Sequence, residues 1–420
     1  MTNCPYPIVD LKDYVFFQEG PGLRKWQWTE EGMKVINVTN ILSDGSVDIS
    51  NTSRFISLDE FRQKYSHFAV EAGDVVVASS GNTYGKVGRV RACHLPIMMN
   101  TSVIRFHPIN SNKLHPDYLY AFLRSDFFRG QIERFVVGSA QPNFGPTHVK
   151  LMQLILPDWE HQCRIASIVS AYDDLIENNT RRIEILEEMA RRLYEEWFVQ
   201  FRFPGYEGVK FKESELGFIP EGWDFVPLGD IYRTGSGGTP SRKNPEFYGS
   251  DYRWVKTKEL QDCPVFDTEE RISEEGLKKS SAKLFPRNTV LIAMYGATIG
   301  RLGVLQEESA TNQACCAILP NSQGCGWGYA YLSLFSRRQA LIDLRAGAAQ
   351  QNISQDVIKK FRLLRASDEV HEQFEMAVTP FLTLCFALYR KNANLRAQRD
   401  LLLPKLISGE IDVSNIPMPT

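Results

Sequence analysis

The chain carries one order of motifs twice. Gly81-Asn82-Thr83-Tyr84-Gly85-Lys86-Val87-Gly88 returns as Gly296-Ala297-Thr298-Ile299-Gly300-Arg301-Leu302-Gly303. Asn100-Thr101 returns as Asn312-Gln313, and Gly138-Ser139-Ala140-Gln141-Pro142-Asn143 as Gly347-Ala348-Ala349-Gln350-Gln351-Asn352. The offsets of 215, 212 and 209 preserve the order and change only loop lengths. Such a period is far longer than that of a solenoid repeat, whose units run to roughly 20–50 residues. The chain is therefore expected to fold as two similar domains. A pseudo-two-fold object of this kind suits a target that itself has two separated halves.

With 420 residues there is room for two domains of ordinary size plus connecting helices. A hydrophobic content of 43% and a charged content of 23% fit a soluble globular chain. No apolar run approaches the ~20 residues of a membrane span. The start Met1-Thr2-Asn3-Cys4-Pro5 lacks the basic and apolar regions of a secretion signal. The eight cysteines contain no Cys-x-x-Cys and no nearby His pairing, which argues against a structural zinc and for reduced, mostly buried thiols. A cytoplasmic location and no bound metal are the expectation.

The net charge of −2 is unevenly spread. Residues 1–157 hold 16 basic and 14 acidic side chains, and 205–366 hold 21 and 19. The stretch 158–204 has 6 and 10, and 367–420 has 5 and 7. Slightly basic globular halves and acidic helical parts fit domains on DNA and helices on protein, although ordinary surface scatter gives the same pattern.

Two long helices are expected, one after each half. Ile165, Val169, Tyr172, Ile176, Asn179, Ile183, Leu186, Ala190, Leu193 and Trp197 step by 4 and 3 without a break, a coiled-coil seam. On the same spacing the second helix offers Ala377, Phe381, Leu384, Leu388, Lys391, Leu395, Gln398 and Leu402. Asn179 and Lys391 then stand at matching depth as polar residues that fix register. Pro380 is expected to kink or split the second helix and Pro404 to end it. The two helices are expected to pair antiparallel. The domain reading is 1–157, helix 158–204, 205–366, helix 367–410 and a tail 411–420. Within the halves, Asp74–Ala78 and Thr289–Ala293 read as buried strands, and 116–135 and 328–345 as helices.

Catalytic motifs are lacking. Asn244-Pro245-Glu246-Phe247 lacks the second proline of an adenine-methyltransferase loop. Only three residues separate Gly81 from Gly85 where a Walker loop has four, and Lys86 precedes Val87, so no Walker loop is present. No nucleophile elbow or zinc-protease motif appears. A binding role is favoured.

These motifs together resemble the specificity subunit of a type I restriction-modification system. The resemblance rests on Gly238-Thr239-Pro240-Ser241-Arg242, Trp254-Val255-Lys256-Thr257 and Ile272-Ser273-Glu274-Glu275-Gly276-Leu277. It extends to Gly138 through Phe144, Gln162-Cys163-Arg164-Ile165-Ala166, Ile219-Pro220-Glu221-Gly222-Trp223 and Leu402 through Ile411. The opening from Leu11 to Trp28 aligns with nothing in the second half. The resemblance implies two α/β target-recognition domains separated by two long antiparallel helices. Each domain would read one half of a split, asymmetric DNA sequence. It also implies docking of two methyltransferase subunits and of restriction/translocase subunits. S-adenosylmethionine would be bound by the methyltransferase partner and no cofactor by this chain.

Polar loop residues supply the chemistry that distinguishes base edges. The candidates are Ser79, Ser80, Asn82, Thr83, Tyr84 and Lys86, then Thr239, Ser241, Arg242 and Lys243, then Tyr295, Thr298 and Arg301. Gln141, Asn143, Gln350 and Asn352 recur in both halves and are read as structural, since two domains with different targets share them. Trp26, Trp28, Phe144 and Trp254 could wedge into DNA but are read as core. Helix pairing and partner docking are assigned to Ile165, Val169, Tyr172, Ile176, Asn179, Ile183, Leu186, Leu193, Leu384, Leu388, Lys391 and Leu395. The alternative is a non-catalytic scaffold whose repeated domains bind protein or RNA. An enzyme that nicks or methylates DNA by itself is a further alternative.

Overall fold

The apolar runs Val75–Ala78 and Val290–Ala293 form strands whose every residue is buried. A computed structural model describes residues 4–42, 44–50, 52–136, 143–214, 217–320, 325–344 and 352–417. It divides into two compact units, Met1–Glu177 with Ala393–Thr420, and Asn178–Asn392.

In the first unit, Val75–Ala78 lies inside a four-stranded sheet ordered Val15–Glu19, Val103–Pro108, Val75–Ala78, Val87–Arg89, all antiparallel. A smaller sheet sets Met33–Ile36 antiparallel to Phe55–Ile56 and parallel to Ile97–Met99. Ile8–Asp10 pairs with Gln153–Ile155. The second unit repeats this plan. Its larger sheet runs Thr234–Ser236, Cys315–Ile318, Val290–Ala293, Leu302–Leu305, and then adds Cys263–Val265. Its smaller sheet sets Tyr248–Val255 antiparallel to Arg271–Ile272 and parallel to Ser309–Thr311, with Leu284–Phe285 outside. Asp224–Pro227 pairs with Arg362–Arg365. The repeated motifs thus mark a repeated α/β topology.

The helices expected over 116–135 and 328–345 are each broken in two. Pro116–Leu123 gives way to Asp126–Val136 at Ser125, whose hydroxyl donates to the Phe122 carbonyl at 2.6 Å and accepts from the Phe128 amide at 3.4 Å. Trp327–Ser336 and Arg338–Asp343 meet at Arg337. Each first helix is tied to a long helix at its start. In the first unit the Gln162 side chain accepts from the His115 amide and donates to the carbonyls of Lys113 and Pro157. In the second the Glu375 carboxylate accepts from the amides of Gly328 at 2.9 Å and Tyr329 at 3.2 Å, two orphan donors of a helix N-terminus. Burial pushes that carboxyl up while the two amides oppose it.

The long helices span Trp159–Phe198 and Asp368–Ser408. The expected domain boundaries put them outside the globular halves. The compact units instead divide within both helices, between Glu177 and Asn178 and between Asn392 and Ala393. The cause is apolar burial. Ile165, Ala166, Val169, Leu403, Leu406 and Ile407 share one core with Val75, Val77 and Phe106. Ile183, Tyr194, Trp197, Phe374, Val378 and Leu382 share another with Val290 and Ile292. The end of the chain also belongs to the first unit, where Val413 is buried and Arg164 Nε donates to the Ile416 carbonyl at 2.9 Å.

Within each unit the helix segments run antiparallel. In the first unit Asp173 accepts from Arg399 at 2.6 Å and from Arg124 at 2.8 Å. In the second, Tyr389 Oη donates to Glu187 at 2.9 Å, and Phe198 stacks on His371 with ring centroids 5.3 Å apart. The seam of the first helix follows the sequence reading: Ile165, Val169, Ile176, Asn179, Ile183, Ala190 and Trp197 are buried, while Tyr172, Leu186 and Leu193 are half-buried. The second seam lies one residue further on than its spacing suggested. Val378, Leu382, Cys385, Asn392, Arg399 and Leu403 are buried, whereas Leu384 and Lys391 are exposed and Leu395 is half-buried. Leu388 is buried. The polar partner of Asn179 is therefore Asn392, not Lys391: Asn179 Nδ2 donates to Asn392 Oδ1 at 2.9 Å. The prolines also behave differently from expectation. The helix continues through Pro380 and through Pro404 to Ser408, each proline omitting one backbone donor.

The register has a direct test. Asn392→Ala leaves the buried Asn179 amide without this acceptor and should cost about 1–3 kcal/mol, while Lys391→Ala should stay within about 0.5 kcal/mol. Equal effects of the two substitutions in denaturant titrations would contradict this register. A second expectation concerns His371, buried against Phe198 and Tyr329, with Nε2 accepting from the Ala366 amide at 3.0 Å. Burial first, and the Arg365 charge second, push its pKa down to about 4 from 6.5. The unfolded chain therefore takes up a proton between those values and the folded chain does not. Stability is full above pH ~6.5 and falls toward pH ~4 by about 3 kcal/mol for this group. His371→Gln should flatten that part of the stability–pH curve; an unchanged curve would show that His371 does not carry it.

Candidate functional site

The repeated glycine loops are hairpin turns with one backbone plan. In the first unit the Gly85 amide donates to the Ala78 carbonyl at 2.8 Å and the Ala78 amide to Lys86 at 2.9 Å. In the second, Gly300 donates to Ala293 and Ala293 to Arg301, both at 2.9 Å. A single 3-10 turn bridges each, Gly81–Thr83 and Gly296–Thr298. Gly81, Gly85, Gly296 and Gly300 have φ of 72°, 78°, 76° and 77°, the left-handed region that side chains disfavour. The glycine spacing is thus explained by the turn. Tyr84 and Ile299, at the same position of the two loops, both pack onto their unit's core.

The second repeated segment joins the same place. The Phe144 amide donates to the Ser79 carbonyl at 3.0 Å, and the Ile353 amide to Met294 at 3.0 Å. Asn143 forms a bridge with Ser80. Gln141 and Gln350 lie outside the described residues.

Several candidates are less available than their sequence suggests. Ser79 is buried, so its hydroxyl belongs to the interior rather than to a ligand. Ser80, Thr83, Tyr84, Lys86 and Thr298 are half-buried, and Asn82, Tyr295 and Arg301 exposed. Asn82, Thr83, Tyr84 and Lys86 line a cleft shared with Arg124, Arg129 and Arg399. Arg301 lines one shared with Arg191, Asp262 and Tyr331. Each glycine loop therefore faces a long helix of its own unit. Arg301 pairs with Asp262 at 2.6 Å, and Asp262 also holds Arg338 and the Leu302 amide.

The third candidate loop lies elsewhere, at the junction of the two sheets of the second unit. The Gly238 amide donates to Thr311, Trp254 Nε1 to the Gly238 carbonyl at 3.0 Å, and Tyr248 Oη to Pro240 at 2.7 Å. A side chain at Gly237 would meet the Thr311 carbonyl at 1.9 Å. This backbone is pinned. Beyond it Thr239, Ser241, Arg242 and Lys243 are exposed. Thr239 donates to Gln313, and Ser241 Oγ accepts from the Lys243 amide at 3.3 Å. Arg242 pairs with Glu270 at 2.5 Å and lies over the Tyr248 ring at 4.3 Å. Lys256 first, and Arg242 after it, hold the Glu270 carboxyl below its usual range.

Sequence reasoning missed the matching loop of the first unit. Gly20 follows the strand Val15–Glu19 as Gly237 follows Thr234–Ser236. A side chain at Gly20 would meet the Asn100 carbonyl at 2.2 Å, the same close approach to the end of the neighbouring sheet. Each loop then enters a 3-10 turn, Lys25–Gln27 or Pro245–Phe247, and the first strand of the smaller sheet. Arg24 before the first turn, and Lys25 and Trp26 within it, thus lie on the same loop-and-turn segment as Ser241–Lys243, which precede the second turn. The signal was a Gly-Pro-Gly followed by a basic pair, obscured because no residue aligns. Of the four aromatics read as core, Phe144 and Trp254 are buried and Trp28 half-buried, but Trp26 is exposed. Among the described residues no group of three His, Cys, Asp or Glu could hold a metal ion, and no helix is long and apolar enough to cross a membrane.

Asp262 gives a prediction. Asp262→Ala would remove the partner of the half-buried Arg338 and of the exposed Arg301 and the acceptor for the Leu302 amide, a loss of about 1–3 kcal/mol. A melting temperature equal to wild type would mean that this pairing is not maintained in solution.

The chain matches the model of the type I restriction modification DNA specificity domain twice, over residues 8–188 and 220–364. It is 27% identical over 364 residues to the type I restriction enzyme HindI specificity subunit of Haemophilus influenzae, covering 72% of this chain and 79% of that protein. It is 24% identical over 305 residues to the MjaIX specificity subunit of Methanocaldococcus jannaschii, covering 71% and 70%. A solved S subunit from M. genitalium shares the fold, with a TM-score of 0.62 at 15% identity over 97% of both chains.

Proposed function

Because the chain belongs to the type I restriction-modification DNA specificity family, we propose that it reads a bipartite, asymmetric DNA sequence, one unit per half-site. It is a specificity subunit, the kind that selects the DNA while other subunits act on it. Such subunits work with methyltransferase and restriction subunits. We infer two methyltransferase subunits for the two units, each bringing its own S-adenosylmethionine. Docking is assigned to exposed apolar residues of the long-helix segments, Leu175 in the first unit and Ile185, Met189 and Leu384 in the second.

The observation that carries this reading is the contrast between what repeats and what differs. Strand order, glycine turns and the amide contacts beneath them recur in both units. The side chains above the Gly20 and Gly237 junctions share an Arg-Lys pair and otherwise differ. A common frame bearing different polar loops is what separate half-site specificities require, since base edges are told apart by side-chain donors and acceptors. Contact with the half-site is therefore assigned to Arg24, Lys25 and Trp26 in the first unit and to Thr239, Ser241, Arg242 and Lys243 in the second. Asn82, Thr83, Lys86, Tyr295, Thr298 and Arg301 are assigned the weaker role of phosphate contact. A scaffold for protein or RNA offers no reason for two matches to DNA specificity domains.

Exchange of residues 1–157 for those of a relative, with Ile165, Val169, Leu403 and Leu406 kept so that the core closes, tests the division. Methylome sequencing should show one half of the modified motif replaced and the other unchanged. Replacement of both halves in an assembled complex would overturn it.

A further inference from the structure

Trp26 is the most exposed large apolar side chain among the described residues, at 76%. Indole surface of this size is ordinarily withdrawn from water, and here the backbone holds it outward. Gln27 is buried; its amide donates to Glu60 at 2.8 Å and to Tyr65 Oη at 3.0 Å, and its carbonyl accepts from the Arg24 amide at 2.8 Å. Trp28 packs on the cluster of Met33, Val35, Ile56 and Met98, with the Arg54 guanidinium 5.5 Å above its ring. Anchored on both sides, the 3-10 turn Lys25–Gln27 keeps Trp26 in solvent.

Its surroundings point to one kind of ligand. Arg24, Lys25 and Arg54 are exposed, and no ion pair occupies them among the described residues. Glu30 and Glu31 follow on the exposed stretch beyond Trp28. In the second unit the corresponding turn Pro245–Phe247 carries Glu246 at the middle position and buries Phe247, and the exposed Arg242 and Lys243 precede it. The same topological position thus carries cations in both units and an outward indole in one. An apolar side chain flanked by cations suits duplex DNA, where it can enter a base step while the cations meet the adjoining phosphates.

We propose that Trp26 is a wedge that enters a base step within the half-site read by the first unit, with Arg24 and Lys25 on the neighbouring phosphates. This rests on the DNA-recognition reading above. It makes the two units unlike in manner as well as in sequence preference: the first unit unstacks bases, and the second reads by hydrogen bonds.

The test uses the specificity subunit assembled with its methyltransferase partners, and duplexes carrying the target sequence with 2-aminopurine at successive positions of each half-site. Wild type should raise 2-aminopurine fluorescence at one step of the first unit's half-site. Trp26→Ala should abolish that rise and weaken target binding about 10- to 100-fold, the range of a lost base–aromatic stack. Its affinity for an unrelated duplex, set by phosphate contacts, should change by no more than about 2-fold. Trp26→Phe should restore both fluorescence and affinity to a large extent, and an unchanged melting temperature for both variants excludes misfolding. If wild type prefers its target and Trp26→Ala does so equally, with the fluorescence rise intact, the wedge is refuted and recognition stands. If wild type has no preference for any methylated sequence, the recognition reading itself fails and takes the wedge with it.

Discussion

Each unit depends on apolar burial between its sheet and segments of two helices that are distant in sequence. A strand such as Val75–Ala78 or Val290–Ala293, buried on both faces, needs cover beyond its own half. In the first unit Leu403, Leu406 and Ile407 arrive from the far end of the chain to meet Val75, Val77 and Phe106. In the second, Ile183 and Trp197 from one helix and Phe374 and Leu382 from the other close over Val290 and Ile292. At roughly 25 cal/mol per Å² of apolar surface, such side chains contribute about 1.5–3 kcal/mol each. Neither helix segment can leave without opening a core, so the helices are parts of the units.

Burial alone would not fix which residue of one helix faces which of the other, because apolar contacts tolerate sliding. The polar groups restrict it. Asn179 meets Asn392, Glu187 meets Tyr389, and Asp173 takes both Arg399 and Arg124. Sliding by one residue would strand each of these in an apolar seam, where an unpaired amide or charge costs far more than a lost methyl contact. The result is a single register in each unit, set by a few hydrogen bonds and held by many apolar contacts.

What could be read from the sequence follows the same division. The repeat, the strands and the first seam were legible because each depends on local periodicity. The second seam was not. Phe381-Leu382 and Leu384-Cys385 offer adjacent apolar residues, so a 3.5-residue period fits two registers, and only the tertiary partners of Cys385 and Asn392 choose between them. Pro404 misled because a proline's missing donor matters little to a helix already held by Leu403, Leu406 and Ile407. The ion pairs were also out of reach: Arg301 meets a carboxylate 39 residues away and Arg242 one 28 residues away. The Gly20 junction escaped because its equivalence to Gly237 is one of backbone approach, and backbone approach leaves no aligned residues.

The internal pairing of the arginines bears on how such a surface discriminates. With each globular half only two charges to the basic side, attraction to phosphate is weak, and Arg242 and Arg301 are already engaged by Glu270 and Asp262. A phosphate approaching either must compete with a carboxylate 2.5 or 2.6 Å away, which lowers affinity for any DNA. Glu270 and the Tyr248 ring orient the Arg242 guanidinium, so in the base-reading role proposed for it less side-chain entropy is left to lose. Under the proposed assignment, weak sequence-independent attraction combined with a pre-oriented donor would shift the balance from binding everywhere toward binding where the edges fit. For a subunit that decides where modification occurs, that ratio matters more than affinity.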